Sequence, residues 1–333
     1  MSIPILTFFN NKGRVGATWM VYHVAHMFAD CGVRVLTVDL DPQCNLTAAF
    51  VNDIRLEELW PENGTGNSIF DIINPLKRGT GDIKPVQIER INDNISLVPG
   101  DIALSEFEGD ISDVWPRCLG KEERAFRVIS AFWRVIQDGI IPSRASVVLV
   151  DLGPNLGAIN RAAMIASTHV LVPLAPDLFS LQGLRNLGPT LRKWRDEWKE
   201  RLQKNPDKHL ILPGGEMEPI GYIVMQHSVR QDRPAKAYEK WISRIPSIYQ
   251  QYVIDAQPEN PDVSVSNDPL CFGLFKHYRS LMPMAQEARK PVFHLKPADG
   301  AFGSHTRAVE SARADFEKLT RKIAEKIGVK IPG

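Results

Sequence analysis

The chain is poor in cysteine, holds no long apolar run and carries no excess of either charge. Only four of its 333 residues are cysteine. Cys31, Cys44, Cys118 and Cys271 stand far apart, with no C-x-x-C pair and no histidine at ligand spacing. That pattern excludes a disulfide framework and a thiolate metal centre, and it points to buried thiols in a reducing compartment. The longest apolar stretches, such as 147–150 and 169–176, fall far short of the ~20 residues needed to cross a bilayer. The opening residues show no basic segment and no small-residue cleavage site, so a soluble, cytoplasmic chain without membrane contact is expected. Forty Lys and Arg face 39 Asp and Glu. No uniform field therefore holds the molecule on nucleic acid, and any DNA contact must come from a local patch.

What is present is an alternation of strand and helix signals. With 44% hydrophobic residues over 333 positions, the chain can bury one large α/β core. Ile3 to Phe9 is a compact apolar run that stops at a glycine-bearing loop, as a buried parallel strand does. Thr18 to Cys31 then carries Val21, Val24, Ala25 and Phe28 at helical spacing, and Val33 to Leu40 is a second strand. Strand, loop, helix and strand make a βαβ unit with a right-handed crossover. Further strands are expected at Ser146 to Leu152, His169 to Pro173 and Ile220 to Met225, with a helix over Ala158 to Ser167. Phe179 to Leu202 reads as one long helix whose Leu and Trp stripe faces a core, its basic and acidic face being solvated. Five apolar runs separated by helices predict a doubly wound, mostly parallel sheet flanked by helices, one domain spanning 1–333. Insertions are expected at about 54–120 and 231–290, the second including a surface loop over Ala256 to Pro269. The C-terminal helix is placed at 304–327.

The loop after the first strand reads Asn10-Asn11-Lys12-Gly13-Arg14-Val15-Gly16-Ala17-Thr18. A strand feeding such a loop and then a helix brings backbone N–H groups and a helix N-terminus onto one spot, a physical cradle for an anion. The Walker A pattern needs Lys before its Ser or Thr, and Ala17 stands there instead. A second segment, Asp39-Leu40-Asp41-Pro42-Gln43-Cys44-Asn45, follows the second strand, and a third, Val147 to Pro154, runs through Asp151 into a Gly-Pro turn. Read alone, Asp39 and Asp41 could equally cap a βα turn.

Together the three segments resemble the deviant Walker A ATPases of the ParA/MinD partition family, written K-G-G-x-G-K-[ST], D-x-D-P-Q-x-N and a hydrophobic strand ending in Asp. The likeness covers about 3–52 and 145–230 well and the rest loosely. It implies a P-loop NTPase fold and a site for ATP or ADP with Mg²⁺. The cradle would be Asn11, Lys12, Gly13, Arg14, Val15, Gly16, Ala17 and Thr18. Lys12 would reach across a homodimer, and Asp41 would position the attacking water. Thr18, Asp39 and Asp151 would serve the metal. Phosphoryl transfer needs this set because its catalysis is positioning plus charge neutralisation.

The departures are Ala17, which removes the phosphate-binding lysine, and Arg14, which sets a bulky cation where backbone should approach phosphate. The expectation is a nucleotide-dependent dimerising switch in DNA partition, with impaired hydrolysis, regulated by a protein partner and binding DNA nonspecifically. The alternative is a non-catalytic scaffold that binds a partner or DNA without ATP turnover. Arg192, Lys193, Arg195, Arg230, Arg233 and Lys236 are the candidate DNA contacts, from local positive excess alone. No cysteine follows Asp151 to bridge a cluster, and the eight histidines have no motif partner.

Overall fold

Strands β1 (Ile5–Phe8), β2 (Val35–Asp39), β3 (Glu89–Arg90), β4 (Ile95–Val98), β5 (Val147–Asp151), β6 (His169–Leu174), β7 (Glu218–Gln226) and β8 (Cys271–Lys276) join in one sheet. Its order is β3-β4-β2-β5-β1-β6-β7-β8. The computed structural model describes residues 2–13, 15–61, 66–226, 235–258, 262–276, 278 and 280–332. Every pairing is parallel except that of β3 with β4. The helices are α1 (Ala17–Asp30), α2 (Asn45–Phe50), α3 (Asp53–Leu59), α4 (Ile69–Arg78), α5 (Phe107–Arg117), α6 (Glu123–Ile129), α7 (Ala131–Ser143), α8 (Ala158–Ala166), α9 (Leu178–Leu202), α10 (Ala235–Ile242), α11 (Ile245–Ile248), α12 (Leu281–Ala288) and α13 (Ser304–Ile327).

Successive strand residues point to opposite faces, so each strand feeds two cores. Ile5, Leu36, Val38, Val148 and Val150 pack against α4 to α9 and α11. Leu6, Phe8, Val35, Val147 and Leu149 pack against α1, α12 and α13. Helices on both faces make the doubly wound architecture that the alternation of elements predicts.

Three strands lie outside the five expected. β4 and β8 fall inside the two stretches read as insertions, yet each pairs in parallel with an established strand, β4 with β2 and β8 with β7. β4 is four residues long after the polar turn 92–94, and β8 carries Gly273 in its middle, so neither gives a clean apolar run. β3 is a two-residue edge.

The α9 stripe is core, with Leu181, Leu184, Leu187, Leu191, Trp194 and Trp198 all buried. Its other face is not all solvated, however. Arg201 is buried, its guanidinium carbon 4.0 Å from the centre of the Trp115 ring and its Nε donating to Trp115 O at 3.0 Å. Of the cysteines, all free, Cys44 and Cys118 are buried while Cys31 and Cys271 are only half-buried. The loop before β8 is anchored by Asp268, which accepts the Tyr222 hydroxyl at 2.5 Å.

Candidate functional site

The C-terminal edge of the sheet brings the three sequence segments together. Asp39 ends β2 and Asp151 ends β5, and the two are register partners in adjacent strands. Phe8, the last residue of β1, pairs with Asp151 from the other side. The loop that follows β1 therefore starts beside both carboxylates. Asn10 fixes its course: its side-chain amide donates to Pro173 O at 2.6 Å, and its Oδ1 accepts the Lys12 N–H at 2.8 Å. Gly16, at φ 85°, turns the chain into α1 through the left-handed region that glycine enters without strain. Ala17 and Thr18 open α1, so the first free N–H groups of a 14-residue helix face the loop.

The three carboxylates stand in different environments. Asp39 is buried and accepts Thr47 N at 2.8 Å, Thr47 Oγ1 at 2.7 Å and Asp41 N at 3.2 Å. Burial raises its pKa to about 6 against these bonds. Gly100 lies against it, and a Cβ there would meet Asp39 Cγ at 2.9 Å. Asp41, raised by burial, accepts Gln43 N at 3.0 Å. Asp151 is fully buried, and neither carboxylate oxygen has a hydrogen-bond partner. Burial first, then the charge of Asp39, drives it well above the usual carboxylate range; the Thr18 hydroxyl and the Leu152 N–H lie near enough to offset part of that cost but outside hydrogen-bond geometry. A buried acceptor left unmade costs about 1–3 kcal/mol, more when charged. Such an orphan beside a threonine at a helix start fits a hydrated Mg²⁺, which takes one or two carboxylates and otherwise uses water and phosphate. Among the described residues no group of three or more His, Cys, Asp or Glu could hold a metal by itself.

Lys12 does not point into free space. Its Nζ forms an ion pair with Asp177 and lies 5.9 Å from the centre of the Phe179 ring. Asp177 is the N-cap of α9, accepting Ser180 N at 2.9 Å. Burial pushes the Asp177 carboxyl up, but the bonds from Lys12 and Ser180 outweigh it and hold the group below its usual range. Leu178 and Phe179, 51% and 73% exposed, sit beside this pair.

A cavity of about 690 Å³ opens over the loop and runs along α1. Lys12, Gly13, Val15 to Thr18 and Asp41 line one end; Trp19, Tyr22, Ala48, Met282, Arg289 and Lys290 line the other. Of the residues expected at the site, these loop residues and Asp41 line the cavity, while Asp39 and Asp151 are buried at the strand ends beneath it. Arg14 lies outside the described residues. So do Arg230 and Arg233, and nothing is described of the Lys236 side chain in α10. Arg192 and Arg195 are turned to internal work. Arg192 donates to Tyr252 O and Val253 O at 3.0 and 3.3 Å, and Arg195 to Glu216 O and Met217 O at 2.9 and 2.8 Å. Lys193 remains 71% exposed.

Sequence reasoning missed Asp177, Thr47, Arg289 and Lys290. For Asp177 a signal existed, since Asp three residues before Ser at a helix start is an N-cap pattern. Nothing local marks Arg289 and Lys290.

A family model described as an AAA domain, AAA_31, matches residues 3–204. Among curated proteins, a candidate replication protein A of Rhizobium rhizogenes is 30% identical over 190 residues, 55% of this chain and 42% of that one. The chain thus spans less than half the length of that relative. The chromosome partitioning protein ParA of Caulobacter vibrioides is 26% identical over 206 residues, 60% of this chain and 67% of ParA. Among solved structures, the complex of a Cyanothece McdA variant with ATP superposes with a TM-score of 0.64 at 14% identity, covering 99% of this chain and 98% of that one. At that identity the likeness establishes the fold.

Proposed function

This chain belongs to the AAA_31 family of AAA domains and is of the ParA/MinD type, and on that premise we propose that it is a nucleotide-dependent dimerising switch in DNA partition with impaired hydrolysis. The observation that carries the reading is Asp151, whose two oxygens are buried and unpartnered at the strand end behind the α1 N-terminus.

Backbone N–H groups of the loop and of α1 would hold the phosphates of ATP or ADP. Thr18 would ligate Mg²⁺, with Asp151 and Asp39 ordering its water shell; bound there, the ion neutralises phosphate charge. Asp41 faces the same end of the cavity, where it would orient the attacking water. Ala17 offers no charge to the phosphates, and a charge-assisted hydrogen bond is worth about 1.5–3 kcal/mol in binding. Its loss costs more where charge develops in the transition state, so binding outlasts turnover. The exposed Leu178 and Phe179 beside Lys12 support a second copy of the chain as the partner across this face.

One observation favours the scaffold reading: Lys12 is already satisfied within its own chain by Asp177. Calorimetric titration with ATP and Mg²⁺, run beside light scattering, separates the two. The switch predicts heat and a doubling of mass; absence of heat at millimolar nucleotide leaves the scaffold. Restoring lysine with Ala17→Lys should raise turnover. Nonspecific DNA binding, if it accompanies dimerisation, should weaken steeply with salt; Lys193 is the expected contact left exposed, and a regulatory protein partner completes the proposal. No helix among the described residues is long and apolar enough to cross a membrane.

A further inference from the structure

The carboxylate of Asp39 is held from behind by residues of two other segments. Thr47, fully buried in the first turn of α2, gives one oxygen two bonds: its N–H and its hydroxyl both donate to Asp39 Oδ2, at 2.8 and 2.7 Å. What lies on the far side of the hydroxyl fixes its direction. The Gly100 N–H, which can only donate, meets Thr47 Oγ1 at 2.8 Å. A hydroxyl has a single hydrogen, so that of Thr47 goes to Asp39.

Gly100 follows β4 and lies in the stretch 54–120 that the sequence reads as an insertion. It is gripped at both polar atoms, since its carbonyl accepts the indole N–H of Trp60 at 2.9 Å. The missing side chain matters as well, because a Cβ would stand 2.9 Å from Asp39 Cγ and 3.0 Å from its Oδ2. One line of hydrogen bonds thus runs from the half-buried Trp60, just past α3, through Gly100 and Thr47 to Asp39. Both bonds from Thr47 land on Oδ2, which sets the rotation of the carboxylate. Oδ1 takes the longer bond from Asp41 N at 3.2 Å and keeps room for a further donor. Asp39 and Asp151 are register partners, so their side chains leave the sheet on the same face.

We propose that Thr47 is a positioning residue for the metal end of the site, and that Gly100 and Trp60 are the outer part of the same relay, which leaves Asp39 Oδ1 free for a water of the Mg²⁺ shell. The inference rests on the nucleotide reading above. It adds to that reading a part of the chain that the loop, the Asp39 segment and the Asp151 strand do not contain. A relay of this kind acts on the metal and not on the phosphates, because the backbone N–H groups of the loop serve the phosphates whichever way Asp39 is turned. Metal affinity and metal-free nucleotide affinity therefore part company when the relay is cut.

Calorimetry on the full chain gives its affinity for ADP without metal, and electron paramagnetic resonance gives the affinity of the ADP complex for Mn²⁺, which takes the same oxygen ligands as Mg²⁺. Thr47→Val, which keeps the shape and loses the hydroxyl, should bind ADP within about twofold of the parent and Mn²⁺ at least about fivefold more weakly. Thr47→Ser should restore Mn²⁺ binding to within about twofold. Trp60→Phe cuts only the half-buried end, and serves if Thr47→Val does not fold: its Mn²⁺ affinity should fall about threefold with that for ADP unchanged. In nitrogen-15 spectra, Mg²⁺ added to the ADP complex should move the Trp60 indole signal, identified by its loss in Trp60→Phe. It should leave that signal still in Thr47→Val. Unchanged Mn²⁺ affinity in Thr47→Val or Trp60→Phe overturns the proposal, as does an equal loss in Thr47→Ser or a Trp60 signal that Mg²⁺ does not move in the parent. A matching fall in ADP affinity would make Thr47 a structural residue only and sinks it too. A parent that binds no ADP, or ADP but no Mn²⁺, fails before any variant is compared; that result removes the nucleotide and metal reading itself, and the relay with it.

Discussion

At one end of the cavity the walls are strand ends and the loops that leave them, whereas at the other they are the flanks of α1, α2 and α12. The first end is polar and buried beneath its surface, with Asp39 and Asp151 drawn up by the cost of burying charge. Behind the second lies an aromatic and histidine cluster, in which Phe316 packs 5.2 Å from Trp19 and 5.0 Å from His23. There burial acts on bases and pushes His23 down to about 3 and His26 to about 4. Burial opposes charge at both ends, but it raises the acids at one and lowers the bases at the other.

The largest expected effect separates packing from chemistry. Phe316→Ala removes a fully buried ring behind the far end and should cost about 3–5 kcal/mol in urea unfolding. Pyrophosphate binding at the loop should survive wherever the variant is folded, because the strand ends rest on the other core as well. Asp151→Asn should do the opposite, raising stability at pH 7.5 by about 1–3 kcal/mol through removal of an unpaired buried carboxylate. It should also abolish the Mg²⁺ dependence of nucleotide binding. A destabilised Asn variant would show that the carboxylate has a partner in solution.

The pH dependence should pull in two directions. Asp39, raised from 3.8 to about 6, keeps a proton in the folded chain that the unfolded chain releases, so its contribution to stability falls as pH rises from about 4 to 6. His23 and His26, lowered from 6.5, refuse a proton that the unfolded chain takes, so their contributions rise with pH, over about 3 to 6.5 for His23 and about 4 to 6.5 for His26. Asp39→Asn should therefore make the slope of stability against pH more positive, and His26→Gln more negative, each by up to about 1.4 kcal/mol per pH unit. Equal slopes in both variants would mean that the two ends do not differ in this way. The smallest effect concerns Lys12: Asp177→Asn should free it and tighten nucleotide binding by about 1 kcal/mol, a fewfold change by calorimetry.

Much of the loop end was legible from residue order because it is built from short range. A buried strand, a glycine-bearing loop and a helix start are contiguous from Ile5 to Ala17, and Asp39 and Asp151 each close an apolar run. Their meeting follows once those strands are neighbours. The opposite end was not legible, since Trp19 and Arg289 are 270 positions apart and neither stands in a pattern that periodicity can detect. The same reason hid β4 and β8, whose short runs become strands only because β2 and β7 present open edges to them.

Lys12 shows the boundary within one residue. Its place in the loop is a matter of sequence, but its pairing with Asp177 is not, because α9 must first dock across the sheet's edge. The bare Gly183 of α9 leaves space there for Asn11, where a Cβ would collide with the Asn11 side chain. Sequence by itself determined the alternation of strands and helices, the family, and a glycine-bearing loop between β1 and α1 that carries Ala17, all written in contiguous residues whose local preferences agree. Only the tertiary structure decided which charges face the cavity, since burial, partner and distance are properties of packing between segments that the chain keeps far apart.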